Sequence, residues 1–301
     1  MQPLCVIGGT SWDTLIHLPA LPKPIGQTLW AERSYQTLGS TGAGKALNLT
    51  ALGFEVSLHS VIGADAAGDA IHHALAPHGL HQHLARSHSA TQQHTNLMDA
   101  HGQRLSIFTH APAASGLDLA ACQQALAACD LAIINILDYA RPTLALAQAL
   151  GKPIWTDLHD YDLGNPYHQA FIDAAEVILV ADNQLRDYRA FMQQCIDQGK
   201  KLVLCTHAEH GASLLAADGT WLVQPALPIQ HLRDSNGAGD AFFSGFVYGY
   251  LQQRPLAECL RLAAAAGAFC VESASLCAAA MTPTTLQQRA ALQTKDHPNR
   301  H

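Results

Sequence analysis

Leu131-Ala-Ile-Ile-Asn-Ile136, Pro153-Ile-Trp-Thr-Asp157, Val177-Ile-Leu-Val180 and Lys201-Leu-Val-Leu-Cys205 are short apolar runs spaced along one stretch of the chain. Helical patterns separate them, over Pro142–Leu150, Pro166–Ala175 and Gln184–Asp197. A short run that is apolar on consecutive residues fits a strand buried on both faces. Strand and helix in alternation then require parallel strands with helices packed on both sides. This stretch sets the fold class: α/β, a doubly wound, mostly parallel sheet flanked by helices.

Working outward, Leu4–Gly8 and Val56–Ile62 read as further strands, and Leu119–Ala128 as a helix. Gly44–Leu52 and Ala67–His78 read as helices, the second closed by Gly79. Ala212–Ala216 and Trp221–Gln224 flank Asp218-Gly219 as a hairpin. Ala238–Leu251 and Pro255–Glu272 are long helical patterns, and Lys295–His301 is a polar end expected to fray. Two segments break the alternation. In 14–38, Thr28–Tyr35 alternates like a strand; in 92–109, Gln93–Met98 and Arg104–Thr109 flank Asp99-Ala-His-Gly102 as a hairpin. These segments are expected to form a small β-sheet lid over a crevice at the strand C-termini. The whole of 1–301 then reads as one domain carrying that lid.

Composition narrows the function classes. Hydrophobic residues make up 49% and charged residues 14%, the balance of a globular chain. The formal charge is −7 with no Lys/Arg run, which argues against nucleic acid and anionic membrane as partners. The longest apolar stretch, Leu262–Val271, is too short to span a bilayer, and Met1-Gln-Pro lacks a basic leader, so a cytoplasmic location is expected. The eight cysteines form no C-x-x-C pair and read as buried free thiols. The histidines at 72/73, 81/83 and 207/210 invite a metal reading, but no H-E-x-x-H is present; solvated faces are the better account, and no metal ligand is assigned to the protein.

The chemistry is concentrated in Asp234-Ser-Asn-Gly-Ala-Gly-Asp240, which runs directly into a helix. Small residues at Gly237, Ala238 and Gly239 let backbone amides converge, and the helix N-terminus adds positive potential, so the turn suits an anion. Asp240 in the first turn could take a proton from an attacking hydroxyl. The same string could simply be a capped helix start. Gly39-Ser-Thr-Gly-Ala-Gly-Lys45 imitates a P-loop, but Ala46 stands where the magnesium hydroxyl belongs, and the preceding segment, with Glu32, Arg33 and Gln36, looks half exposed. It is read as a glycine-rich turn near a substrate, where the backbone approaches a ligand closely.

In this order, these parts resemble the PfkB (ribokinase-like) family of carbohydrate and nucleoside kinases. The similarity covers nearly the whole chain, and Asp234–Asp240 matches the family's C-terminal signature through Ser244, Gly245 and Phe246. The resemblance implies a ribokinase-like fold with a lid and ATP as phosphoryl donor with Mg2+; it leaves monovalent-cation activation open. It places Asp240 on the catalytic base, Gly237, Ala238 and Gly239 on the anion hole, and Asp13, Gly39, Ser40, Thr41 and Gly42 on the substrate side. Asn183, Thr206, Gly211 and Asp234 fall on the nucleotide and phosphate side. Gly63-Ala-Asp65-Ala-Ala-Gly68 matches a further family loop, where a structural role is as good a reading as a functional one.

Three departures stand out. Gly44 replaces an asparagine that touches substrate, with Asn48 one helical turn on. Arg186 replaces the acid of N-x-x-E, with Asp187 beside it. Ala208 replaces the first glycine of T-x-G-x-x-G, which suits Ala only at negative φ. The expected activity is transfer of the γ-phosphoryl group to a sugar hydroxyl, of the hydroxymethyl kind. A nucleoside is the alternative acceptor, because Asn236 and Gly39-Ser-Thr41 are similar to adenosine-kinase forms; Trp12, Trp30, Tyr35 and Phe108 could then stack a base. A ligand-binding sensor with weak catalysis is a rival of another class. Pairing of lids would make a homodimer.

Overall fold

The structure, a computed structural model, describes residues 2–163 and 165–296. The strands are β1 (Pro3–Ile7), β2 (Ser11–His17), β3 (Arg33–Gly39), β4 (Glu55–Gly63), β5 (His81–Ser87), β6 (Gln93–Met98), β7 (Arg104–His110), β8 (Leu131–Ile134), β9 (Ile154–Asp157), β10 (Val177–Ala181), β11 (Leu202–Thr206), β12 (Ala212–Ala216) and β13 (Trp221–Gln224). The helices are α1 (Thr41–Ala51), α2 (Ala66–Leu75), α3 (Leu119–Ala128), α4 (Arg141–Ala149), α5 (Gln169–Ala174), α6 (Tyr188–Asp197), α7 (Ala238–Leu251), α8 (Leu256–Val271) and α9 (Pro283–Asp296).

The large sheet has the order β13-β12-β11-β10-β9-β8-β1-β4-β5, and every pair from β11 to β5 is parallel. Its strands are apolar on consecutive residues because both faces are covered. Leu4 and Val6 of β1 face one core with Leu131, Ile133, Val177 and Leu179, against α1, α7 and α8. Cys5 and Ile7 face the other with Ala132, Ile134, Ile178 and Val180, against α3 to α6. The period of two divides each strand between two helical layers. Eight free cysteines are distributed among these cores, seven of them buried.

The small sheet has the order β3-β2-β6-β7. β2 begins at Ser11, ahead of the expected lid boundary at residue 14. The strand expected over Thr28–Tyr35 is displaced: it is Arg33–Gly39, and residues 18–32 carry no regular secondary structure. β2 offers partners only from Ser11 to His17, and its register pairs His17 with Arg33; the Glu32 N–H still donates to His17 O at 2.9 Å, and residues 28–31 lie past the end of β2. Pro19, Pro22 and Pro24 add gaps in the donor series. The expected Gln184–Asp197 helix starts only at Tyr188, because Asp187 caps it by accepting from the Ala190 N–H at 3.0 Å. Gly63–Gly68 has a structural role: Asp65 caps α2 through the Gly68 N–H (2.8 Å) and holds the Thr91 N–H (2.8 Å) at the root of the lid. The polar end from residue 297 onward lies outside the described residues.

Candidate active site

From β1 the chain crosses to β4 on one side and later returns as β8 on the other, so a crevice opens beyond the C-terminal ends of β1 and β8. Gly8 and Asn135 meet there; a Cβ on Gly8 would lie 2.0 Å from Asn135 Nδ2. Both polar atoms of the Asn135 side chain are buried without a hydrogen-bond partner, as is Ser11 Oγ. Gly42 packs its backbone against Gly8 and Gly9, and a Cβ at 42 would meet Gly9 O at 2.6 Å. The glycines therefore let α1 begin directly on top of the crevice.

α7 brings Asp240 to the same place in its first turn, 7% exposed. Lys45 of α1 is fully buried, and its Nζ donates to Asp240 Oδ1 at 2.5 Å and to Asp157 Oδ2, at the end of β9, at 2.9 Å. The ammonium lies 5.2 Å from the centroid of the Phe243 ring. Asp157 also accepts from the His159 N–H at 2.9 Å. Ser244 Oγ donates to the Asp240 carbonyl at 2.8 Å. A Cβ on residue 44 would sit 2.4 Å from Asp240 Oδ2, so Gly44 is the reason the carboxylate can lie against α1.

Two carboxylates share one ammonium and are driven apart. Burial pushes Asp240 above the usual carboxylate range, with Asp157 adding to the rise and Lys45 and His159 opposing it. Burial also works against the charge on Asp157, but His159, Lys45 and the His159 N–H outweigh it and hold that carboxyl low. Burial opposes the charge on Lys45 as well, and Asp157 and Asp240 together overcome it and raise the ammonium. Asp157 is thus the permanent counter-ion, and Asp240 is the more basic of the pair.

The lid supplies the opposite wall. Asp13 is buried in β2; its Oδ1 accepts from the His94 N–H at 3.1 Å and its Oδ2 lies 3.1 Å from His94 Nδ1. Asn96 Nδ2 reaches the same oxygen at 3.5 Å, and Ser106 Oγ donates to Asn96 Oδ1 at 2.6 Å. A Cβ at Gly39 would fall 2.0 Å from Asp13 Oδ2, so β3 must end in glycine for this carboxylate to fit. Ser40 adopts a φ of 70° and caps α1, with its Oγ 3.5 Å from Gln92 Nε2; Thr41 starts the helix. The Phe108 ring stands edge-on to His94 at 4.2 Å. Around the glycines at the start of α1, Asp13 lies against Gly39, Ser40 against Gly9, Asn135 against Gly8 and Asp240 against Gly44.

Before α7, Asp234 is buried, and its carboxylate is engaged on both oxygens: Tyr35 OH donates to Oδ2 at 3.2 Å and the Asn236 N–H to Oδ1 at 2.8 Å. Gly237 has a φ of 81°, and the Ala238 N–H closes the turn on Ser235 O at 3.3 Å. First-turn amides have no acceptor inside their own helix. A Cβ on Gly239 would meet nothing within 4 Å, which leaves room at this helix start for a ligand. A cavity of about 240 Å³ lies beside the turn, between His17, Arg33 and Asp99 of the lid and Asp234; Asp240 does not line it.

The residues that the resemblance assigns to the nucleotide side are spread over the ends of β10 and β11. Asn183 Nδ2 donates to Asp160 Oδ1 at 2.9 Å, and Thr206 Oγ1 lies 3.5 Å from Val180 O. Gly211 has a φ of 106°, and a Cβ there would overlap Gln224 O. The condition set for Ala208 is not met, since its φ is 47°, in the left-handed region. The structure gives Asp187 a cap to make and places Arg186 before that cap, outside the helix. Asn48 does not stand in for the missing asparagine amide: its Nδ2 donates to Gly44 O at 2.7 Å and Leu276 O at 2.8 Å.

Lys45, Asp157, His94 and Asn135 lie at this candidate site without having been picked out by sequence. A lysine inside the otherwise apolar Ala43-Gly-Lys-Ala-Leu47 was the available signal for the first. The end of a predicted parallel strand was the signal for Asp157 and Asn135. Among the described residues no three His, Cys, Asp or Glu side chains form a metal site.

Residues 172–283 match the pfkB family carbohydrate kinases. The chain is 31% identical over 272 residues to the acarbose 7(IV)-phosphotransferase of Actinoplanes sp., covering 88% of this chain and 90% of that one. It is 25% identical over 296 residues to the ribokinase of Arabidopsis thaliana, covering 90% of this chain and 76% of that one. The structure of a microbiome-derived acarbose kinase superposes with a TM-score of 0.83 at 27% identity, over 97% of this chain and all of that one. The chain belongs to the PfkB family of carbohydrate kinases, phosphotransferases that use an alcohol group as acceptor.

Proposed function

We propose that this kinase transfers the γ-phosphoryl group of ATP to a hydroxyl of a sugar, with Asp240 as the base. The observation that carries the reading is the placement of a buried, upward-shifted carboxylate in the first turn of a helix whose start is Gly237-Ala-Gly239. The acceptor hydroxyl loses its proton to Asp240 as its oxygen bonds to the γ-phosphorus. The bond to the β-phosphate oxygen breaks, and the electron pair leaves on ADP. The α7 start, with Gly239, faces the phosphoryl oxygens, and Mg2+ when bound neutralises charge on the phosphates. Asp13, His94 and Asn135 supply polar partners for sugar hydroxyls.

The two relatives named for acarbose make acarbose an acceptor to try. A coupled ADP-release screen over pentoses, hexoses, acarbose and nucleosides tests the reading, with Asp240→Asn as control. The expected result is a sugar-dependent rate that falls by about 10²–10⁴-fold in the variant, with ATP affinity nearly unchanged. Near-normal turnover by Asp240→Asn would remove Asp240 from the base role, and a response to nucleosides alone would move the acceptor class.

A further inference from the structure

Lys45 is a charged side chain with no exposure at all, and a buried ammonium is costly unless its partners need it. Its partners are two acids contributed by different elements, Asp157 of β9 and Asp240 of α7. Oδ1 of Asp240 is the atom held; Oδ2 is the atom that lies against the missing side chain of Gly44. The ammonium therefore holds the carboxylate through Oδ1, and Oδ2 takes the space that a side chain at Gly44 would need. His159 from the loop after β9, Asp157, Lys45 and Cys270 of α8 are the titratable groups that act on Asp240.

We propose that Lys45 is a positioning residue for phosphoryl transfer, which clamps Asp240 through Oδ1 beside Asp157 and leaves Oδ2, the oxygen it does not hold, to receive the acceptor proton. This rests on Asp240 being the base. In the step, the hydroxyl proton passes to Oδ2, the oxygen forms the new bond to the γ-phosphorus, and the β,γ-bridging P–O bond breaks with its electron pair leaving on ADP. Lys45 neither gains nor loses a proton. Without the ammonium, burial and Asp157 would act on Asp240 with less opposition, and both favour its protonated form.

The test is a 13C carboxyl titration of aspartate-labelled protein, assigned with Asp157→Asn and Asp240→Asn, comparing wild type with Lys45→Met. ADP release is followed in parallel with acarbose and D-ribose as acceptors, and ATP affinity by calorimetry. Lys45→Met is expected to move the Asp240 midpoint upward by at least about one pH unit. Turnover at neutral pH should fall by about 100-fold with ATP affinity within about threefold, and Lys45→Arg should recover part of the loss. A folded Lys45→Met with an unmoved Asp240 midpoint overturns the proposal. Should Lys45→Met not fold, the Asp240 midpoint in Lys45→Met/Asp157→Asn is compared with that in Asp157→Asn alone, so that only the ammonium differs; a higher midpoint in the double variant supports the clamp and an equal one overturns it. Asp240→Asn with normal turnover would instead sink the base assignment, and with it the role given to Lys45, whatever the titration shows.

Discussion

Ala208 turns the chain with a φ of 47°, a conformation that costs a non-glycine residue about 1–2 kcal/mol. The strain sits in the loop after β11, where His207 bridges Asp182 Oδ2 at 2.7 Å and Ser213 Oγ at 2.9 Å. That bridge fixes the loop and forces the next residue to make the turn. Ala208→Gly relieves the strain but gives back about 0.4–1 kcal/mol through the greater freedom of the unfolded chain. The net expectation is a gain of up to about 1 kcal/mol, read as a melting temperature higher by about 2–4 °C. A lower melting temperature would show that the turn is not strained. At Gly211 the opposite holds, because a side chain would run into the β13 backbone at Gln224. A glycine-rich motif read as one unit in sequence thus contains one position that demands glycine and one that tolerates its loss at a cost.

At the level of elements, the lid is tied to the turn that precedes α7. Tyr35 of β3 reaches Asp234, Arg104 of β7 donates to Asn236 Oδ1 at 2.9 Å, and Ser235 Oγ donates to Gly102 O at 2.9 Å. Arg33 donates to the Arg233 carbonyl at 3.2 Å. Burial and the Asp234 carboxylate push the Tyr35 phenol up to about 12, so it stays a donor across the working range. These contacts join the sheet holding Asp13 to the helix start holding Asp240, so under the proposed function closure of the lid and assembly of the phosphoryl site are expected to be one event. Arg104→Ala removes an exposed contact worth about 1 kcal/mol. It should leave the melting temperature almost unchanged and raise the acceptor KM by about fivefold, measured by ADP release. An unchanged KM would mean that this contact takes no part in closure. The strands of the large sheet were legible because burial on both faces leaves an unbroken apolar run. β5 was not, since as an edge strand with His81, Gln82 and His83 it has no such run. α9 was missed for a related reason: it lies on the outside, with Pro283, Thr284 and Gln287–Gln288 obscuring its few apolar contacts.

For the molecule as a whole, the signature turn was readable because its residues are neighbours in sequence, whereas the Lys45 cluster joins positions 112 and 195 residues apart. Only the folded chain brings them together, so a local reading of Gly39–Lys45 could reject the P-loop without finding what the lysine does. Buried histidines pose the same problem, and their effect is felt by the entire fold. His59 of β4 lies inside the sheet, stacked on His83 at 4.4 Å, with Nε2 buried and unpartnered. Burial, with His83 adding to it, pushes its imidazole down from 6.5 to about 4. The folded state therefore keeps His59 neutral where the unfolded chain would protonate it. Its contribution to stability is complete above pH 6.5, declines as pH falls toward 4, and is gone below that, a loss of about 3 kcal/mol across the window. His59→Phe keeps a ring against His83 and has nothing to titrate. Urea unfolding at a series of pH values between 7 and 4 should show a shallower loss of stability in this variant than in wild type. Parallel slopes for the two proteins would assign the acid sensitivity to other groups, and the contribution of His59 to the pH dependence of the fold would have to be dropped.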